Sequence, residues 1–441
     1  MVVTQNAPAS MYRGVEGLGI WEHRGKVAAV GIGHSPTARR WDERTETSIG
    51  AWSLLALRNA IEDAGVSPDQ VDGLVVVPAA TTGDQWSPRP VPEDFANTYQ
   101  LTDNTNDGLT AMSADWIIKN MPELSNLDFA MHAPGCMSNA IVVAAQAVGD
   151  GLTNTCLVLK TWNNLSGRYG HGAGANALDL SPGSAQWTHP WGWGAAALSY
   201  AYNFDQYCRK YGGNHDMMAP FIVNNRRNGL MMPEGFWYQH RPEPLTVEDY
   251  LASRWVAKPA NLFDCDIPIQ IAVAYLFTTP DRAKDMKQPP VYIMNHATTR
   301  PKVRGSVQTL DQVEASTDST AKKLYEGSGY SPSDIHLENC YEGYSLFHQY
   351  YLEALQWHGV QRGEALQFYG GDIRVEGPHP ISSSGGNAGS GRTRTWMHTD
   401  SIQQLQGRAG DRQVKIKAET AVSGGPTPGS GDFTIWSKNP D

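Results

Sequence analysis

The chain has 441 residues and a formal net charge of −10, with 35 Lys and Arg against 45 Asp and Glu. That length suits one large α/β body built from two halves, and the acidic balance, without a long Lys/Arg run, excludes nucleic acid or an anionic membrane as the main partner. The start has no basic and then apolar leader, no stretch of about 18 apolar residues occurs, and Cys136, Cys156, Cys208, Cys265 and Cys340 form no CxxC pair, so the chain reads as a reduced, cytoplasmic enzyme without a disulfide framework or structural zinc.

Residues 26–33, Lys-Val-Ala-Ala-Val-Gly-Ile-Gly, read as a buried strand ending in glycines, ahead of a helix over 48–64 and a second strand over 70–77. Strand, helix, strand in this order implies a parallel sheet with helices on its faces. The alanine-rich stretch 139–148 predicts a buried helix that leads through Gly149-Asp150-Gly151 into a strand over 156–160. From 162 to about 250 the character changes: Trp, Tyr, Asn, Gly and Met accumulate, as in Trp187-Thr188-His189-Pro190-Trp191-Gly192-Trp193. This reads as an inserted cap, whose aromatics pack on one another or wall a flat apolar ligand. A second start follows, with a strand over 290–295, a helix over 317–328 and a strand over 334–339. Here Ser331-Pro332-Ser333-Asp334-Ile335 echoes Ser67-Pro68-Asp69-Gln70-Val71, each placed after a helix ending in glycine and before a strand, which is a weak internal repeat.

Two segments carry the chemistry. The first is Tyr341-Glu342-Gly343-Tyr344-Ser345, and the second is the late run Ser382-Ser383-Ser384-Gly385-Gly386-Asn387-Ala388-Gly389-Ser390-Gly391-Arg392. A phenol, with an ordinary pKa of about 10, carries a proton between an alcohol and an enolate once its site tunes it, so Tyr341 takes the most weight. Arg392 stays charged near neutral pH and cannot be a general base; it would hold a carboxylate, phosphate or oxyanion, or else steady its loop in an ion pair. Glu342 would orient a neighbour or form a structural salt bridge, and Tyr344 would pack. His132 and His296, isolated near predicted strand ends, are either structural or direct participants. Gly31-x-Gly33 lacks the full dinucleotide fingerprint and its acidic partner, so no nicotinamide site is expected.

Taken together, the two segments resemble the thiolase superfamily with its thiol chemistry removed. A thiolase would carry an Asn-Glu-Ala-Phe-like motif where Tyr341 begins its own, and a Gly-His-Pro where Arg392 stands; Gly377-Pro378-His379-Pro380 contains His-Pro but precedes the double glycine. The family's late Cys-x-Gly-Gly-Gly corresponds to Ala421-Val422-Ser423-Gly424-Gly425, with alanine for the cysteine. Its reactive cysteine heads a buried helix. Aligned without gaps, that position falls on Pro134 and leaves Cys136 structural; a two-residue gap returns it to Cys136.

Within the superfamily, the pattern is similar to the lipid-transfer-protein type aldolases that cleave steroid side chains. The resemblance spans 26–438 and implies a duplicated thiolase fold: α/β, two βαβαβαββ-like halves in α/β/α/β/α layers, with the aromatic cap inserted. The expected units are an extension over 1–25, a first half over 26–285 that includes the cap at 162–250, and a second half over 286–441. The implied reaction is retro-aldol cleavage of a β-hydroxyacyl-CoA such as a 17-hydroxy steroid side-chain thioester, giving a ketosteroid and a short acyl-CoA. Tyr341, Tyr344, Arg392 and Glu342 are then the catalytic candidates, and Cys136, His132, His296, Gly385, Gly386, Gly424 and Gly425 the candidates for binding substrate and CoA. No metal or cofactor is expected in this chain, CoA being part of the substrate. A homodimer is implied, joined by a small OB-fold, zinc-ribbon partner protein into a heterotetramer. Two alternatives stay open: a thiolase-type acyltransferase using Cys136, and a non-catalytic scaffold subunit. After Gly391-Arg392 the chain continues Thr393-Arg394-Thr395-Trp396, where the aldolases lead one to expect an aromatic or histidine, so a second proton carrier is not identified.

Overall fold

The computed structural model describes residues 19–78, 90–164, 186–187, 193, 196–298, 308–425 and 432–441. Its strands are, in chain order, β1 (Ala28–His34), β2 (Gly73–Val77), β3 (Phe129–His132), β4 (Thr155–Trp162), β5 (Trp255–Ala257), β6 (Ala260–Asn261), β7 (Ile271–Thr278), β8 (Val291–Thr298), β9 (Leu337–Cys340), β10 (Thr420–Gly424) and β11 (Asp432–Ser437). β5 and β6 form a small ribbon, and the other nine make one mixed sheet in the order β3-β2-β4-β7-β1-β8-β11-β10-β9.

That order contains the duplication. Reading outward from the seam, the first half runs β1-β7-β4-β2-β3 and the second β8-β11-β10-β9. In both, the first strand lies antiparallel to the last, the last antiparallel to the next, and the outer pair is parallel. The halves meet where β1 and β8 pair through Ala28 with Tyr292 and Ala29 with Val291. A repeated joint marks the same kinship. The helices Ile49–Ala64 and Leu310–Ser328 each end on a left-handed glycine, Gly65 and Gly329, both with φ of 72°. Each is followed by a capping box, with Gln70 closing on Ser67 and Asp334 on Ser331, before the chain enters β2 or β9.

The strands are apolar on both faces because both faces are covered. Val273, Tyr275 and Phe277 of β7 and Val158 and Trp162 of β4 join one core with the helices Met137–Gly149 and Trp396–Gln406. The alternate residues, Ala272, Ala274, Leu276, Leu157 and Leu159, join a second core with Ile49–Ala64 and Leu310–Ser328. Helices therefore cover both faces of the sheet, as the expected α/β fold requires. The two helices of the first core are tied by a buried chain in which Ser138 Oγ lies 2.8 Å from His398 Nε2, His398 Nδ1 lies 2.7 Å from Ser423 Oγ, and Trp436 Nε1 donates to Ser423 Oγ at 2.7 Å. Burial alone drives His398 down to about 3, so it is a neutral tie. Gly31 and Gly33 serve packing: a Cβ at either would collide with backbone carbonyls of Ile49–Ala64.

The segment 162–250 expected as a cap supplies the helices Ala196–Tyr211, Ala219–Gly229 and Phe236–His240, and the β5–β6 ribbon follows it. Residues 165–185 of the cap and most of the tryptophan-rich run 187–193, together with residues 1–18 of the expected extension, lie outside the described residues.

Candidate active site

The site forms at one end of the sheet, where β9 stops. Tyr341, the next residue, donates its N–H to Gly424 O at 2.9 Å, which sets the start of the Tyr341–Ser345 motif beside the glycine end of β10. Its ring stacks on Phe347 at 5.6 Å, and the Arg394 guanidinium lies 5.5 Å from the ring centroid on the motif's other flank. The phenol donates to Asp266 Oδ2 at 3.4 Å, and Asp266 N–H donates to Gly343 O at 2.9 Å. Gly343 has to be glycine here: a Cβ would collide with both the Tyr341 hydroxyl and the Asp266 carboxylate. Tyr341 is 1% exposed, and burial, reinforced by Asp266, pushes its pKa well above 10 against the opposing pull of Arg394 and Arg392. The resting phenol is protonated.

Glu342 turns to the glycine-rich run. Its Oε1 accepts from Ala388 N at 3.3 Å, and a side chain at Gly386, where φ is +57°, would collide with the carboxyl. Burial raises Glu342 to about 8, so it sits as a neutral acid at neutral pH, bracing the turn Gly386–Ser390. The rest of the run is tied from below. Ser382 N–H donates to Glu338 Oε1 at 3.0 Å, Ser383 to Asp400, and Asn387 Oδ1 accepts from Thr393 N at 2.7 Å and Arg394 N at 2.9 Å. Gly385, with φ of +73°, and Gly386 are packed structural hinges of this loop.

Trp162, at the end of β4, gathers the cations. Arg392 lies 5.2 Å and Arg394 5.6 Å from its ring, and Lys160 Nζ lies 4.5 Å away from within the same strand. Burial brings Lys160 down to about 7, with Arg394 and Arg392 lowering it further and Cys136 opposing them. Tyr344 is partly buried with its ring 4.5 Å from that of Tyr200, which the cap helix Ala196–Tyr211 delivers. Burial pushes both phenols up.

Cys136 is the N-cap of Met137–Gly149, at the head of a buried helix. It is 2% exposed, its Sγ donates to Asn139 Oδ1 at 3.4 Å, and burial raises its pKa, so it is a thiol rather than a thiolate. Ala421 lies inside β10, and Gly424 and Gly425 follow at φ of 135° and 82°, next to Tyr341 and Asp432. Three histidines stand apart. His132 is exposed on the edge strand β3 and accepts from Ala114 N at 2.9 Å, capping a helix; His296 packs edge-on against Trp21 at 5.1 Å; His379 packs 4.5 Å from His358. The structure therefore brings Tyr341, Tyr344, Arg392, Gly424 and Gly425 together, with Glu342, Gly385 and Gly386 as the frame, and leaves His132 and His296 elsewhere.

Sequence reasoning missed Asp266, Lys160, Trp162, Arg394 and Tyr200. Lys160 did leave a signal, a lone cation in an otherwise apolar strand. Asp266 left a weaker one, a second acid in Asp264-Cys265-Asp266-Ile267-Pro268 just before β7. A cavity of about 510 Å³ reaches the site at Asp266 and Ala388, and is lined by Ile222, Arg226, Trp237 and Arg241 among others. The Arg226 guanidinium lies 3.5 Å from the Trp237 ring and Arg241 5.2 Å, and burial lowers Arg226 to about 10. Among the described residues no group of three His, Cys, Asp or Glu is placed to hold a metal ion.

Comparison with known proteins accords with this geometry. The model of a thiolase C-terminal domain-like family matches residues 302–431. A steroid side-chain-cleaving aldolase of Thermomonospora curvata is 25% identical over 420 residues, covering 92% of this chain and 97% of the relative. A 17-hydroxy-3-oxo-4-pregnene-20-carboxyl-CoA lyase of Mycobacterium tuberculosis is 26% identical over 432 residues, covering 92% and 98%. The solved structure of an Ltp2-ChsH2(DUF35) aldolase superposes with a TM-score of 0.73 at 22% identity, covering 94% of this chain and 98% of that one. A duplicated body with a tyrosine motif and a glycine loop at its strand ends, together with these matches, makes the chain similar to the thiolase superfamily. The chain is a lyase of the aldolase kind.

Proposed function

We propose that the chain cleaves a β-hydroxyacyl-CoA by a retro-aldol reaction, its substrate a 17-hydroxy steroid side-chain CoA thioester, releasing a ketosteroid and a short acyl-CoA. The observation that carries this reading is the buried Tyr341 phenol, aimed at a carboxylate and flanked by Arg394, in place of an activated thiol. The steroid-cleaving names of the full-length relatives supply the substrate class. Tyr341 would take the hydroxyl proton as the ring carbonyl forms. The electrons of the broken carbon–carbon bond pass into the thioester as an enolate, which the backbone around Gly424 and Gly425 and the cations Arg392 and Arg394 would stabilise. The cavity walled by Arg226, Trp237 and Arg241 would admit the CoA arm, with cations for its phosphates and an aromatic face for its base. No cofactor of the chain's own enters this scheme.

The solved Ltp2-ChsH2(DUF35) aldolase supports a partner subunit, here taken to be a small OB-fold, zinc-ribbon protein that joins a homodimer of this chain and brings any zinc of the assembly. A cytoplasmic location completes the reading; among the described residues no helix is long and apolar enough to cross a membrane. The placement of Cys136 at a helix head favours one second reading, acyl transfer to CoA.

Mass spectrometry separates the two. The protein, with and without the partner, is incubated with the steroid thioester and no free CoA. Release of a 17-ketosteroid and a short acyl-CoA is the expected result. Release only after free CoA is added, with a shortened acyl-CoA ester as product, would establish the transferase. No release under either condition would leave the scaffold subunit.

A further inference from the structure

We infer that Asp266 is the proton acceptor behind Tyr341, so that a carboxylate–phenol pair, and not the tyrosine alone, moves the proton in both halves of the reaction. This rests on the retro-aldol reading. A phenol that rests protonated cannot accept a proton without giving one up, and it needs an acceptor within hydrogen-bond reach. Asp266 Oδ2 is that acceptor, 3.4 Å from the phenol oxygen.

Three further features show the pair to be built. The Asp266 backbone is fastened to Gly343 O, two residues beyond Tyr341, so the strap that carries the carboxylate is held to the motif that carries the phenol. The absence of a side chain at Gly343 leaves the space the two groups occupy. Asp266 also lines the cavity, which puts the carboxylate end of the pair at the boundary between the protein interior and the chamber where a substrate would lie. Glu342, the buried acid next to Tyr341 in the chain, is committed to the glycine turn through Ala388.

The step balances without a co-reactant. The substrate hydroxyl proton passes to the Tyr341 oxygen while the Tyr341 proton passes to Asp266. The oxygen's electron pair forms the ketone, the carbon–carbon bond breaks, and its pair becomes the enolate of the acyl-CoA. Tyr341 then protonates the enolate carbon and recovers its proton from Asp266. One pair thus performs the duty for which a second proton carrier would otherwise be required.

The test uses the protein with its partner and the 17-hydroxy steroid thioester, comparing wild type, Asp266→Asn, Tyr341→Phe and the double variant, each checked for fold by circular dichroism. Asp266→Asn is expected to lower kcat about 100- to 1,000-fold with KM within about threefold. The double variant should be no slower than Tyr341→Phe alone, because the two act as a unit; a merely structural aspartate would give losses that multiply. Gly343→Ala keeps both groups and pushes them apart. It should lose at least about tenfold in kcat, and it decides the matter if Asp266→Asn does not fold. An active wild type with Asp266→Asn within about fivefold of it, fully multiplying losses, or a Gly343→Ala variant at wild-type rate would overturn the inference alone. An inert wild type would overturn the cleavage reading, and this inference with it.

Discussion

The two halves of the molecule share a strand order and a helix–glycine–capping-box joint, yet they furnish the site by different means. The second half contributes continuous backbone: the Tyr341–Ser345 motif, the glycine run 382–392 and the end of β10. The first half contributes single side chains from strand ends and their flanks, namely Lys160, Trp162 and Asp266, with Cys136 at a helix head. Two copies of one scaffold have thus divided the labour, one supplying the loops that carry Tyr341, Arg392 and Arg394 and the other the isolated side chains they meet. The lesson is that a duplicated fold preserves the places where side chains converge, while leaving each copy free in what it sends there.

Removing the hydroxyl that the two halves share tests this division most severely. Tyr341→Phe should lower kcat about 100- to 10,000-fold in a steady-state cleavage assay while the thermal midpoint holds. The charge in the first half has its own signature in stability against pH. Lys160 titrates near 7 in the fold against 10.5 in its ordinary state, so below about pH 7 both the folded and unfolded chains hold its proton, and between about 7 and 10.5 only the unfolded chain does. Wild-type stability should therefore rise across that window relative to Lys160→Met, by at most about 5 kcal/mol, as read by urea unfolding at pH 6.5, 8 and 9.5. A flat difference would mean that Lys160 keeps its proton and that the first half presents a permanent cation. Arg394 lies beside Tyr341 and reaches across to Trp162 of the first half, and Arg394→Gln should cost about tenfold in kcat/KM in the same assay. The smallest effect is expected at Cys136. Cys136→Ala should stay within about threefold of wild type, with no acyl adduct on the wild-type protein by intact mass, since burial keeps the thiol protonated. A larger loss would return nucleophilic chemistry to the first half.

The same contrast explains what could be read from the sequence. The loops were legible because glycine runs and aromatic motifs are contiguous and have backbone reasons to be where they are: Gly386 must clear Glu342, and the αL glycines must end helices. Five strands, β1, β2, β4, β8 and β9, and the helix at Met137–Gly149 were legible from apolar periodicity to within a few residues at most ends, whereas β3, β7, β10, β11 and the helix Trp396–Gln406 were not singled out; the helix expected over 317–328 begins earlier, at Leu310, because its first turns mix charged and small residues on a buried face. The charges of the first half were not legible. Lys160 and Asp266 are 106 positions apart in the sequence, and only the pairing of β4 with β7 brings their neighbourhoods together. His132 and His296 were attractive because they lie at strand ends, but a strand end is part of the site only on the side where the second half closes over it. His132 lies on the outer edge and caps a helix instead.

The joint that each half uses to turn from helix to strand has a consequence for engineering. Gly65-Val66-Ser67-Pro68-Asp69-Gln70-Val71 and Gly329-Tyr330-Ser331-Pro332-Ser333-Asp334-Ile335 have the same length, the same left-handed opening and the same closed cap. Each is an interchangeable part, a fitting whose backbone follows the same course in both sockets while four of its seven side chains differ, among them the second, where Tyr330 lies beneath Arg24. Such fittings are where two ancestral copies can still exchange pieces after their chemistry has diverged.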